Sequence, residues 1–92
     1  MYNRFANMRH RYLREHRNGI YTGMVLDGKL EEHLKEIGEA AEKMFDRLVE
    51  QMKKAEDVTE KLKAENQMEW VGRMNSIRSR AEEIVLNDLI YN

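Results

Sequence analysis

The 92-residue sequence has no cysteine and no proline. The first absence excludes disulfides, thiol nucleophiles and thiolate metal ligands. The second leaves no element forcibly broken, and the common residues (Glu, Lys, Arg, Leu, Met, Ala) are those that favour helix. Long apolar runs are missing as well, and nothing approaches the roughly 20 residues needed to span a bilayer. The opening Met1-Tyr2-Asn3-Arg4-Phe5 leads into arginines, not into the apolar core of a signal peptide. No membrane partner and a cytoplasmic location are therefore expected. Only Asn18-Gly19 and Asp27-Gly28 read as turns, and the residues between them do not alternate as a hairpin strand would. The sequence predicts an all-α chain of one domain, short enough to need good helix packing or self-association for stability.

The net charge of −1 conceals an asymmetry. Residues 1–17 carry five arginines (Arg4, Arg9, Arg11, Arg14, Arg17) against one acid, Glu15, a net +4 that leaves −5 on the rest. A basic segment on an acidic body suggests an anionic partner for that end.

The pattern divides the chain into a basic N-terminal helical segment over 1–28, a first long helix over 29–54, a connection over 55–66 and a second long helix over 67–91. In the first segment Phe5, Met8 and Tyr12 share a face, with Arg4, Asn7, Arg11 and Arg14 in a stripe beside them. Ile20, Tyr21, Met24 and Val25 make a further helical turn or two, which Asp27-Gly28 ends. The first long helix has its apolar seam at Leu30, Leu34, Ile37, Ala41, Met44, Leu48 and Met52. A second stripe at Gly38, Phe45, Val49 and Met52 implies two neighbours. Glu31–Lys35, Glu39–Lys43 and Glu50–Lys54 mark its solvated face. Asp57 or Thr59 is placed to cap a short helix containing Leu62. Asn66-Gln67-Met68-Glu69 fits a capping box opening the last helix, whose seam is Trp70, Met74, Ile77, Ala81 and Ile84. The expected architecture is a small helical bundle built on an antiparallel pair of long helices, with the N-terminal segment packed across it. In that register Ile37 lies near Ile84, Met44 near Ile77 and Met52 near Trp70.

Three blocks resemble a known family. They are Arg11-Tyr12-Leu13-Arg14-Glu15-His16-Arg17 with Tyr21; Leu26-Asp27-Gly28-Lys29-Leu30 with His33-Leu34 and Glu36-Ile37; and Trp70-Val71-Gly72-Arg73-Met74-Asn75 through Ala81-Glu82-Glu83-Ile84 to Ile90-Tyr91. Their order and spacing are similar to those of the transposon-encoded protein TnpV family. Asn18 stands where members often have proline, Asn66-Gln67 replaces a frequent Asp-Pro, and a longer N-terminal leader seen in many members is missing. The resemblance implies a protein of bacterial integrative elements moved by serine recombinases, with an excisionase-like accessory role. It carries over no catalytic or binding residue.

Arg4, Arg9, Arg11, Arg14 and Arg17 are the candidate contacts to nucleic acid or another anionic partner, because guanidinium suits bidentate phosphate binding. Tyr12 and His16 are near enough in sequence to stack. The plain alternative is a solubilising face paired with the acids of residues 31–60. Trp70, Arg73 and Arg80 are a second candidate group, a partner anchor. Against that, Trp70 reads as a core plug against Met52 or Leu62, and Glu69–Arg73 as an ordinary i, i+4 pair. Gly38 and Gly72, inside helices, suggest close approach of another helix. His33, flanked by Glu32 and Glu36, reads as a surface histidine. No second histidine lies at i±4, so no metal and no cofactor are expected. Ser76 and Ser79 lack an adjacent base, and no phosphate-cradling glycine loop is present. An enzyme is not expected. The favoured function is a non-enzymatic accessory protein contacting element DNA, its recombinase, or both. The alternatives are an element-borne inhibitor of a host defence nucleoprotein complex, or an oligomerisation scaffold.

Overall fold

A computed structural model describes residues 2–92, and within them the chain is all-helical with no strand. The elements are α1 (Arg4–His16), α2 (Asn18–Asp27), α3 (Leu30–Ala55), α4 (Glu60–Glu65) and α5 (Gln67–Val85), the last prolonged by a π turn, Leu86–Ile90. Met1 lies outside the described residues.

Local chemistry sets the boundaries. Asn3 caps α1 by accepting from the Ala6 amide at 2.9 Å. Its side-chain nitrogen donates to the Gly38 carbonyl at 2.9 Å, so one residue both starts α1 and fixes it to α3. Gly28 sits at φ 70° and ends α2, with the Lys29 amide donating back to the Met24 carbonyl at 2.9 Å. The same closure ends α3 without glycine. Asp57 takes φ 56° while the Val58 amide donates to the Lys53 carbonyl at 2.9 Å. Thr59, not Asp57, caps α4. Asn66 caps α5 through its side chain, accepting from the Glu69 amide at 3.1 Å. The return contact of the expected capping box is altered: Glu69 accepts from the Asn66 side-chain amide, because the Asn66 backbone N–H already donates to Leu62.

Three apolar clusters hold the elements together. Phe5, Ala41, Val85 and Ile90 join α1, α3, α5 and the π turn, with Ile37, Met44 and Phe45 packed around them. Ala6, Leu13 and Leu34 join α1 to α3, with Tyr21 and Met24 of α2 alongside. Val58, Met74 and Ile77 tie the start of α5 to Val49 and Met52 of α3 and to Leu62 of α4, with Trp70 packed against them. Met52 and Trp70 thus share a cluster, while Met44 packs with the group around Val85.

The seam of α5 departs from the sequence expectation at its end. Met74, Ile77, Ala81 and Val85 are buried, and Ile84 is only half-buried. A step of four after Ala81 replaces the expected three, and the π turn then swings Ile90 into the core. In α1 the buried positions include Ala6, Arg9 and Leu13 beside Phe5, whereas Met8 and Tyr12 are half-buried. Gly38 meets α1 as expected. A methyl there would lie 2.9 Å from Asn3 Oδ1 and 3.0 Å from the Ala6 Cβ. The same expectation fails for Gly72, which is exposed with nothing within 4 Å of such a methyl.

Candidate nucleic-acid interface

The five arginines of the N-terminal segment fall into three environments. Arg9 is buried, 8% exposed, and faces inward among Ala6, Leu13 and Phe5. Its Nη1 donates to the carbonyls of Ile90 at 2.8 Å and Asn92 at 3.1 Å, and its Nε donates to His33 Nε2 at 3.3 Å. These bonds satisfy carbonyls that a helix end leaves without partners. Arg9 is therefore removed from the candidate anionic contacts: its fork closes the C-terminal turn onto α1. Burial draws its pKa below the ordinary value, Tyr12 opposes the shift and Arg17 adds to it.

That bond also corrects the reading of His33, which is half-buried rather than a free surface residue. To accept from Arg9, Nε2 must carry no proton. Burial and the Arg9 charge both lower the His33 pKa, against an opposing pull from Glu36. His10 is lowered too, by burial and by Arg14, and its ring stacks on Tyr21 at 5.8 Å.

Arg4 is exposed but engaged. It pairs with Glu82 of α5 at 3.1 Å and lies over the rings of Phe5 and Phe45, 4.4 and 4.7 Å from their centroids. Its position spans α1, α3 and α5, leaving it less available than the sequence stripe suggests.

Arg11, Arg14 and Arg17 are exposed, and none forms an ion pair among the described residues. They occupy the last turns of α1 and its C-cap. Arg14, in the last turn, also complements the negative end of the α1 dipole, whereas Arg17 is at once the C-cap of α1 and the N-cap of α2. Beside them lies an open groove of about 480 Å³ whose lining includes Arg11, Tyr12, His16, Arg17 and Tyr91. Tyr12 is 5.4 Å from His16 and 5.3 Å from Tyr91, centroid to centroid. Arg17 reaches to 6.0 Å over the Tyr12 ring. Tyr91 joins the groove because the C-terminal turn folds back onto α1, which nothing in the chain pattern says. The signal that could have found it is Arg9, an arginine on the inner face of an amphipathic helix that needs carbonyl partners.

The second candidate group does not assemble into a free anchor. Trp70 is half-buried against Val58, Met74, Ile77 and their neighbours, with Lys63 over its ring at 4.7 Å. Arg73 pairs with Glu69 at 3.0 Å. Arg80 pairs with Glu56 at 2.8 Å, and Arg73 also reaches the Glu56 carbonyl, at 3.5 Å. Both arginines brace the turn between α3 and α4 against α5.

Among the described residues no group of three His, Cys, Asp or Glu side chains could hold a metal ion. No helix in them is long and apolar enough to cross a membrane. What remains is a small helical protein presenting one cationic, aromatic-lined helix end. The family model for transposon-encoded protein TnpV matches residues 1–90, and the chain belongs to that family. Neither a curated protein nor a solved structure matched the chain.

Proposed function

We propose that the protein is a non-enzymatic accessory factor of its mobile element. In this reading it acts in the cytoplasm and contacts element DNA, or the recombinase assembled on that DNA, through Arg11, Arg14 and Arg17. The observation that carries the reading is clustering. Arg11, Arg14 and Arg17 are exposed, have no acidic partner among the described residues and fall within seven residues of one another, whereas Arg47 and Arg78, exposed and unpaired as well, stand singly on α3 and α5, and Arg4, Arg9, Arg73 and Arg80 are held by carboxylates or carbonyls. Uncommitted guanidinium on a rigid helix end suits phosphate contact, which positions a protein on nucleic acid without reading sequence. Membership of a transposon-encoded family supports an element-associated role. The scaffold we infer is an antiparallel α3–α5 pair with α1 across it. Its support is that Met52 groups with Trp70 and Met74, whereas Ala41 groups with Val85.

The test is fluorescence anisotropy with labelled duplex and single-stranded probes at low and moderate salt. Wild-type protein is expected to bind weakly and without strong sequence preference. Replacing Arg11, Arg14 and Arg17 together with Ala is expected to abolish measurable binding and leave the circular dichroism melting curve close to wild type. Absence of wild-type binding even at low salt sets direct nucleic-acid contact aside. A pull-down from the native host with and without nuclease then decides between the recombinase and a host defence complex.

A further inference from the structure

The groove at the end of α1 has features that phosphate contact alone does not use. Phosphate needs donors and positive charge, but this groove is built around two tyrosines and a histidine. Tyr91 is 47% exposed, although the residue before it is fully buried and hydrogen-bonded to Arg9. The backbone that carries the ring is thus anchored while the ring stays open to solvent. One side of its environment is Tyr12, tilted at 49° with centroids 5.3 Å apart. Tyr12 is itself held, with the Arg9 guanidinium 5.7 Å and the Arg17 guanidinium 6.0 Å from its centroid. A fixed aromatic platform with exposed guanidiniums at its rim is the chemistry that receives an unpaired base and the phosphates on either side of it.

We infer that Tyr91, supported by Tyr12, is a stacking platform for one unpaired base of a single-stranded nucleic acid, with Arg11 and Arg17 taking the adjoining phosphates. The inference rests on the proposed nucleic-acid contact and assigns its ligand class. At about 480 Å³ the groove is open and roomy enough for a single base ring. Glu15 also lines it, lying 3.9 Å from His16, and opposes an anion there. Arg11 and Arg17 outnumber it, so the lining as a whole stays cationic. A strand is favoured over a free nucleotide because Arg14, between Arg11 and Arg17 in the chain but exposed outside the groove, supplies a cation for a further phosphate.

The experiment uses the full chain and anisotropy at low salt with four probes: an oligothymidine of about 12 nucleotides, the same oligomer carrying abasic sites, a duplex of equal length, and free thymidine monophosphate as competitor. The oligothymidine is expected to bind about fivefold or more tightly than the abasic strand, since one base–aromatic stack is worth at least that factor. Tyr91→Phe is expected to retain the preference and Tyr91→Ala to erase it, with little change in affinity for the abasic strand. Equal binding of plain and abasic strands by the wild type overturns the stacking platform and leaves the arginine contact standing. Tighter binding of the duplex than of the single strand does the same. Competition by the mononucleotide at concentrations comparable to the oligomer overturns the assignment to a strand. No binding to any probe overturns both the platform and the contact on which it rests. The abasic comparison needs no variant, so it stands even if Tyr91→Ala unfolds.

Discussion

Arg9 and Ile90, 81 residues apart in the chain, meet in a buried hydrogen bond of 2.8 Å from the guanidinium to the carbonyl. The bond closes the chain end onto the first helix. The π turn ends with the Tyr91 amide donating to the Leu86 carbonyl, and the Ile90 carbonyl then points to Arg9. Arg9→Ala is expected to lower unfolding free energy by about 1–3 kcal/mol, the range for a buried acceptor left unsatisfied. Arg9→Lys is expected to rescue little, since one ammonium cannot stand in for both Nη1 on the carbonyls and Nε on His33. Arg11→Ala should stay within about 0.5 kcal/mol of wild type. Urea titrations followed by circular dichroism check all three.

Gly38 and Gly72, the glycines inside the two long helices, are expected to respond with opposite sign. Gly72→Ala gains up to about 1 kcal/mol of helix propensity with no collision. At Gly38 the same gain is set against a methyl 3.0 Å from the Ala6 Cβ and 2.9 Å from the oxygen of the capping Asn3. Asn3 cannot move away without losing two hydrogen bonds. Gly38→Ala should therefore lower the melting temperature and Gly72→Ala raise it.

The two left-handed helix ends give a similar pair. Gly28→Ala is expected to cost about 1 kcal/mol, because a Cβ is strained at its φ of 70°. Asp57→Gly removes that strain at φ 56° but adds freedom to the unfolded chain, so its net gain should be smaller, about 0.5 kcal/mol. Thermal melts of the two variants beside wild type measure the asymmetry.

Stability should fall on mild acidification. His33 and His10 both have folded-state pKa values below the ordinary 6.5. The unfolded chain therefore takes up protons that the folded chain refuses. Their contribution is fully present above 6.5 and is lost as pH falls below that value toward the folded-state pKa values. His33→Gln keeps an acceptor for Arg9 and should flatten the decline between about pH 7 and 5, with the His10 part remaining. Urea midpoints across that range provide the readout.

Much of the fold was legible in the sequence because local rules decide it. Gly28, Thr59 and Asn66 act at helix ends by chemistry confined to a few residues, and the seam of α3 follows from apolar spacing alone. What the pattern could not supply were features set by tertiary contact. Val85 instead of Ile84 is an i, i+4 step inside α5 that apolar spacing does not choose over i, i+3, and no propensity marks the π turn that brings Ile90 into the core. The fates of Arg4 and Arg9 depend on Glu82 and on the Ile90 and Asn92 carbonyls, all far away in sequence. In the candidate site the exposed arginines were visible as a charge asymmetry, while Tyr91 joins them only through the folded chain end.

The most direct test of the central claim is the salt dependence of nucleic-acid affinity, plotted as log K against log salt for wild type and the Arg11, Arg14 and Arg17 triple alanine variant. Wild type is expected to show a linear fall. Single substitutions should flatten it by about 0.7 on single strands and about 0.9 on duplex for each phosphate contact removed. The triple variant should be nearly flat where any binding can still be measured. A wild-type slope near zero, or a triple variant with an unchanged slope, would contradict the assignment of these three arginines as the anionic contact.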